Sequence, residues 1–162
     1  GESCSAATLD GDNVLYIARA AVNNLLSIDL GRGSRLPAWA TSMGRVLLSA
    51  LPEEQLEVTL SRVTLIRYTP HTLCDLSGLR AEIARVRMQG YALADRQIEV
   101  GLCSLAVPVL SRHGQVVAAL KLPKRVAAGV IRLSFGPETT FAEIDACAEA
   151  LRNHHDRRMP ML

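Results

Sequence analysis

Apolar residues recur along this chain in two rhythms. Leu76, Leu79, Ile83 and Val86 fall at steps of three and four, the spacing of one helix face. Asp75 stands where an N-cap belongs and Gly90 where a helix closes. Met43, Val46, Leu47 and Ala50 repeat the helical spacing, so Thr41 to Ala50 is predicted as a helix with Ser42 near its start. Pro52 opens a third helix, with Glu53 and Glu54 in its first turn and Leu56 and Leu60 as its buried edge. Residues 64–74, with Thr69-Pro70, read as an extended connector.

The other rhythm is that of strands. Ser3 to Leu9 and Val14 to Ala20 flank Asp10-Gly11-Asp12-Asn13, a hairpin signal. Leu25 to Leu30 reads as a third strand. Tyr91 to Asp95 is a short strand, Gln97 to Gly101 a polar turn, and Leu102 to Val109 a buried strand. After the turn Ser111 to Gly114 comes a further apolar strand, Val116 to Leu122. Residues 123–138 are ambiguous: Val126 to Phe135 is apolar enough for a strand, but Pro123 and Gly129 weaken it. Thr140 and Glu143 form a capping box, with the helical stripe Phe141, Ile144, Ala148 and Leu151 behind it. A meander of strands, a helical insertion and then strand, strand, helix predict an α+β fold, a central antiparallel sheet flanked by helices.

At 162 residues the chain is one domain of ordinary size, and 49% hydrophobic residues suffice for a core without metal or disulfides. A formal charge of +2 is too small to argue for nucleic acid or an anionic membrane as a direct partner. No apolar run is long enough for a membrane helix. Cys4, Cys74, Cys103 and Cys147 are scattered without metal-site spacing and read as free thiols in a reducing cytoplasm. No metal or cofactor is implied.

The candidate chemistry gathers around residues 90–109, where Asp95, Cys103 and Ser104 border a buried sheet face. Gly31-Arg32-Gly33-Ser34-Arg35-Leu36-Pro37 has the glycines and arginines of a phosphate-cradling loop, but it lacks the lysine-threonine ending of a P-loop and reads as a solvated turn. Arg85 and Arg87 read as a solvated helix face. Ser104 is either a small polar core residue or a ligand contact, and Asp95 either a turn cap or a ligand contact. Cys103 faces away from Ser104 and reads as packing.

At this point the residues resemble a family. Leu36-Pro37-Ala38-x-x-Thr41-Ser42-Met43-Gly44-Arg45-Val46-Leu47-Leu48-x-Ala50 is similar to the start of the effector-binding domain of IclR-type bacterial transcriptional regulators. So are Tyr68-Thr69-Pro70-x-Thr72, Gly90-Tyr91-Ala92-Leu93-x-Asp95, Glu99-x-Gly101-Leu102 and Ser104-Leu105-Ala106-Val107-Pro108-Val109. The resemblance runs from about residue 3 to residue 122 and leans toward the branch that controls aromatic-acid catabolism, including regulators for protocatechuate and 4-hydroxybenzoate. It implies a GAF-like effector domain over residues 1–162, preceded in the full protein by a winged helix-turn-helix absent from this chain. It also implies a homodimer or homotetramer, with DNA bound only through that N-terminal half.

The resemblance further implies where a ligand lies. Ser42 and Met43 match an amide position at a helix start, which suits a carboxylate. Asp95 or its neighbour Ala94 matches an acidic position, and Leu102 and Ser104 match a pocket-facing pair on one strand face. Lys121 and Pro123 depart from the small polar residues common there; Lys121 would anchor an acid or point out of the sheet. Together these give Ser42, Met43, Ala94, Asp95, Leu102, Ser104 and Lys121 as candidate ligand-binding residues.

Three functions compete. The first is a non-catalytic sensor of a small carboxylated metabolite, and the second a hydrolase-like enzyme using Ser104 or Cys103. The third is an oligomerisation module without a ligand. A nucleophile needs a base within reach. The four histidines, at 71, 113, 154 and 155, fall in a connector, a turn and a tail, and no G-x-S-x-G elbow exists. The sensor reading is preferred.

Overall fold

In the computed structural model the described residues are 4–20, 30–109 and 130–135, the last by backbone alone. Two strands open the chain, β1 (Cys4–Asp10) and β2 (Asn13–Ala20), joined at a turn where Gly11 takes a φ of 61°. A short strand β3 (Arg35–Pro37) and one 3-10 turn (Ala38–Ala40) lead into α1 (Ser42–Ser49). Then follow α2 (Glu53–Arg62), α3 (Leu76–Gln89), β4 (Ala92–Asp95), β5 (Cys103–Pro108) and β6 (Val130–Phe135). The described strands form one antiparallel sheet in the order β3-β2-β1-β6-β5-β4.

The fold class is the expected α+β, and three details differ from expectation. Arg35–Pro37 belongs to the sheet rather than to a loop: Leu36 pairs with Val14, the Arg35 Nε donates to Asp10 at 2.7 Å, and Pro37 stands on the sheet edge, where its missing N–H costs no ladder bond. The weak run at 126–135 holds a central strand, β6, between β1 and β5. Gly129 and Pro123, which weakened it, both precede its first residue. Leu76, counted on the buried stripe of α3, stays exposed, because the core begins one turn later at Leu79. The expected strands at Leu25–Leu30 and Val116–Leu122, the helix behind Thr140 and the tail histidines lie outside the described residues, Leu30 excepted.

The core lies between the helices and one sheet face. Ala7, Val14, Tyr16, Ala92 and Ala106 on the strands meet Met43, Val46, Leu47 and Leu48 of α1, together with Leu56, Leu60, Leu79, Ile83 and Val86. Each fully buried leucine contributes about 2 kcal/mol. Helix ends are secured in turn. Asp75 accepts from the Gly78 amide, and Gly90 closes α3 at a φ of 80°. Arg87 is exposed, as expected of a solvated helix face, and it also pins the end of α1: it donates to the Ser49 carbonyl at 2.8 Å, to the Leu51 carbonyl at 3.1 Å and to Glu53 at 3.0 Å.

Gly44 fixes how α1 enters. A Cβ there would lie 2.0 Å from the Ala38 carbonyl oxygen, so only glycine lets the helix rest on the 3-10 turn. Arg45, one residue on, is buried. Its Nε donates to the Trp39 carbonyl at 3.0 Å, and one Nη donates to the Gln97 side chain at 2.7 Å. The other Nη lies 3.7 Å from Glu82 of α3. Burial pulls the guanidinium pKa down and Glu82 opposes that pull.

Candidate functional site

Thr41 caps α1, its hydroxyl accepting from the Gly44 amide at 3.0 Å. The amides of Ser42 and Met43, in the same first turn, meet no acceptor among the described residues. The Ser42 hydroxyl points at β5, where it lies 3.0 Å from the Ser104 hydroxyl, both groups buried. Beside this pair is a cavity of about 20 Å³ lined by Leu36, Ala40, Thr41, Ala94, Gln97, Ile98, Leu102 and Ser104. Ala94 stands opposite Ser104 in the β4–β5 ladder, which puts both on the helix-facing side of the sheet.

Of the expected site residues, Ala94, Leu102 and Ser104 line this cavity, and Ser42 reaches it through Ser104. Met43 turns its side chain into the core, leaving only its amide on this side. Asp95 does not converge on this cavity as expected: strand alternation carries it to the opposite face from Ala94. There it receives two hydrogen bonds from Arg96, at 3.0 and 2.8 Å, and lines a different cleft. Lys121 lies outside the described residues.

That second cleft is open and about 510 Å³, lined by charged groups that largely satisfy one another. Glu82 pairs with Arg85 at 2.8 Å and lies near Arg45, Asp95 pairs with Arg96, and Asp75 caps α3. Cys103, opposite Asp95 in the ladder, packs with Tyr91, Leu93 and Leu105. Burial and then the Asp95 charge push its thiol pKa up, with Arg96 pulling the other way, which is the reverse of what a nucleophile needs. Ser104 is bonded to a hydroxyl, not to a base. The Gly31–Ser34 turn is closed on itself and on β2, with the Gly31 amide on the Ser34 hydroxyl at 3.0 Å and the Gly33 amide on the Tyr16 carbonyl at 2.8 Å, so those amides do not form a phosphate cradle.

Gln97 was expected only as part of a polar turn, yet it ties the site together. Its side-chain oxygen accepts from Arg45 at 2.7 Å and from the Leu73 amide at 3.0 Å, while its nitrogen donates to the His71 carbonyl at 2.7 Å. Thr69 donates to the Arg96 carbonyl at 2.5 Å and Thr72 to the Gln97 carbonyl at 2.7 Å. The Thr72 hydroxyl in turn accepts from the amides of Tyr68 and Thr69. The Thr69-Pro70-x-Thr72 spacing, a turn stabilised by hydroxyls, was the available signal for this clasp.

The class is that of a regulator's C-terminal domain. The family described as bacterial transcriptional regulator IclR C-terminal matches residues 1–153, and the chain belongs to it. The Pca regulon regulatory protein of Pseudomonas putida is 44% identical over 150 residues, covering 90% of this chain and 52% of its own. The p-hydroxybenzoate hydroxylase transcriptional activator of Acinetobacter baylyi is 38% identical over 121 residues, covering 72% of this chain and 45% of its own. A solved structure, a double mutant of the PobR transcription factor inducer binding domain from Acinetobacter in complex with 3-hydroxybenzoic acid, superposes with a TM-score of 0.78 at 28% identity. It covers 99% of this chain and 89% of that one. The family and these relatives are transcriptional regulators, not enzymes. The chain spans about half the length of the curated relatives it matches. Among the described residues no helix is long and apolar enough to cross a membrane.

Proposed function

We propose that the chain is a single effector-sensing domain over residues 1–162 of a transcriptional regulator, one that binds a small carboxylic acid at the start of α1. The leading class is a hydroxylated aromatic acid. The observation that carries the reading is the buried Ser42–Ser104 hydroxyl pair beside two first-turn amides with no acceptor among the described residues. A helix N-terminus favours an anion through its orphan donors and its dipole. The two hydroxyls would read a hydroxyl or keto group, and Ala94 and Leu102 would supply apolar wall. Lys121 is retained as a second anchor for the acid.

The names of the relatives support the ligand class, since one regulates p-hydroxybenzoate hydroxylase and one was solved with 3-hydroxybenzoic acid. In this reading DNA is bound by a winged helix-turn-helix outside this chain, in a cytoplasmic homodimer or homotetramer. Thermal-shift measurements on the purified chain with protocatechuate, 4-hydroxybenzoate, 3-hydroxybenzoate and short aliphatic acids test it. A true effector at about 100 times its Kd adds roughly 2.7 kcal/mol, a rise in Tm of about 5 to 10 °C. No shift with any acid of the panel overturns the ligand class.

A further inference from the structure

The small cavity and the open cleft share one lining residue, Gln97. At about 20 Å³ the cavity holds a single water, whereas ligand pockets run from roughly 300 Å³ upward. An acid therefore enters only if a wall moves. The start of α1 is fixed by Gly44 against the Ala38 backbone and by Arg45, and Ala94 and Ser104 are fixed by the β4–β5 ladder. Leu36 is held in register with Val14.

Among the described residues the remaining wall is the loop of residues 96–102, which brings in Gln97, Ile98 and Leu102. Its own backbone bonds are few: Arg96 N to the Leu102 carbonyl at 2.8 Å, and Leu102 N to the Glu99 carbonyl at 3.0 Å. Arg96 enters it in the left-handed region, at a φ of 52°, and Glu99, Val100 and Gly101 are exposed. What fastens the loop to the body is the set of bonds that Gln97 makes to Arg45 and to residues 71–73, together with the hydroxyls of Thr69 and Thr72.

We propose that the loop of residues 96–102 is the gate of the small cavity and that Gln97 is its latch. Resting on the effector reading above, this makes the open cleft the side from which the acid arrives. When Gln97 releases Arg45 and the Leu73 amide, Ile98 and Leu102 move away from Ser104 and the two spaces join. The same release frees the connector just before Asp75, so the start of α3 senses whether the cavity is filled.

Hydrogen exchange on the purified chain, read by mass spectrometry, tests the gate without a ligand. Amides of residues 96–102 exchange faster in the parent than those of α1 and the β4–β5 ladder, through a local opening. Gln97→Ala raises exchange in 96–102 and 71–73 by about tenfold, the factor one lost charge-assisted hydrogen bond allows, and leaves α1 and the ladder unchanged. Thr72→Val, which keeps the bond between Gln97 and Arg45, acts in the same direction with smaller amplitude. Exchange in 96–102 that rises only together with α1 and the ladder, or parent exchange equal to theirs, overturns the gate.

A second arm uses 3-hydroxybenzoate in stopped-flow binding, where Gln97→Ala speeds association and dissociation alike. Failure of 3-hydroxybenzoate to bind the parent, with the exchange pattern intact, removes the ligand assignment and leaves the opening motion. Tight binding at unchanged rates in Gln97→Ala removes the gate and leaves the ligand.

Discussion

The two cavities contrast in size, chemistry and support. The larger, about 510 Å³, is lined by side chains whose charges already have partners: Glu82 with Arg85, Asp95 with Arg96, Asp75 with its own helix. The smaller, about 20 Å³, lies beside two hydroxyls that, among the described residues, bond only to each other, at the mouth of a helix whose first amides meet no acceptor among those residues. Volume points to one and chemistry to the other. A site recognises a ligand through groups that the fold leaves in want of a partner, and that measure is why the small cavity is the site we propose.

If the start of α1 is the rigid side of that site, the largest effect follows from disturbing its seat. Gly44→Ala places a methyl against the Ala38 backbone and costs at least about 3 kcal/mol, enough that urea unfolding finds little folded protein. A variant of unchanged midpoint would show that α1 is free to shift, and the contrast with the loop would fail. Ser104→Ala comes next. It leaves the Ser42 hydroxyl buried without its partner, at a cost of about 1 to 2 kcal/mol in the same assay. A neutral outcome would mean that Ser42 finds another acceptor and that the pair is not the site's organising feature.

The cleft side shows the smallest effect and depends on pH. The Gly78 amide first, and then the Ser77 hydroxyl, hold the Asp75 carboxyl below its ordinary range. A group depressed in the folded state contributes stability above its unfolded pKa and loses it as the pH falls through the folded one. Thermal midpoints should therefore fall slightly more below about pH 4 in the parent than in Asp75→Asn, which keeps a capping oxygen without the charge. Equal slopes would remove Asp75 from the account of α3.

Much of this was legible in the chain. The helix ends at Asp75 and Gly90 and the hairpin at Gly11 follow from caps, turn residues and spacing, which are local signals, whereas Ser104 beside the start of α1, 62 residues from Ser42, was implied only by the family resemblance. Period-two alternation alone also separates Asp95 from Ala94, but the choice between them rested on the family resemblance, and the side that lacks the acid is the one that lines the cavity. The role of Gln97 was not legible: its bonds to Arg45, His71 and Leu73 reach 24 to 52 residues away in sequence, and a glutamine in a polar turn carries no mark of them. The centrality of β6 was hidden for a related reason. Strand order is set by long-range pairing, and its neighbours β1 and β5 lie far from it in the chain. Gly44 was visible as a residue of the family pattern, while the 2.0 Å approach that requires it emerges only in three dimensions.

The central claim is that the small cavity, not the large cleft, is where an acid binds. Calorimetric titration of the acid that stabilises the parent most, against Ser104→Leu and Asp95→Ala side by side, tests it most directly. Ser104→Leu fills the small cavity and should abolish the binding heat while circular dichroism shows the fold retained; Asp95→Ala, in the cleft, should bind as the parent does. Binding lost in Asp95→Ala and kept in Ser104→Leu would place the ligand in the cleft and contradict the account.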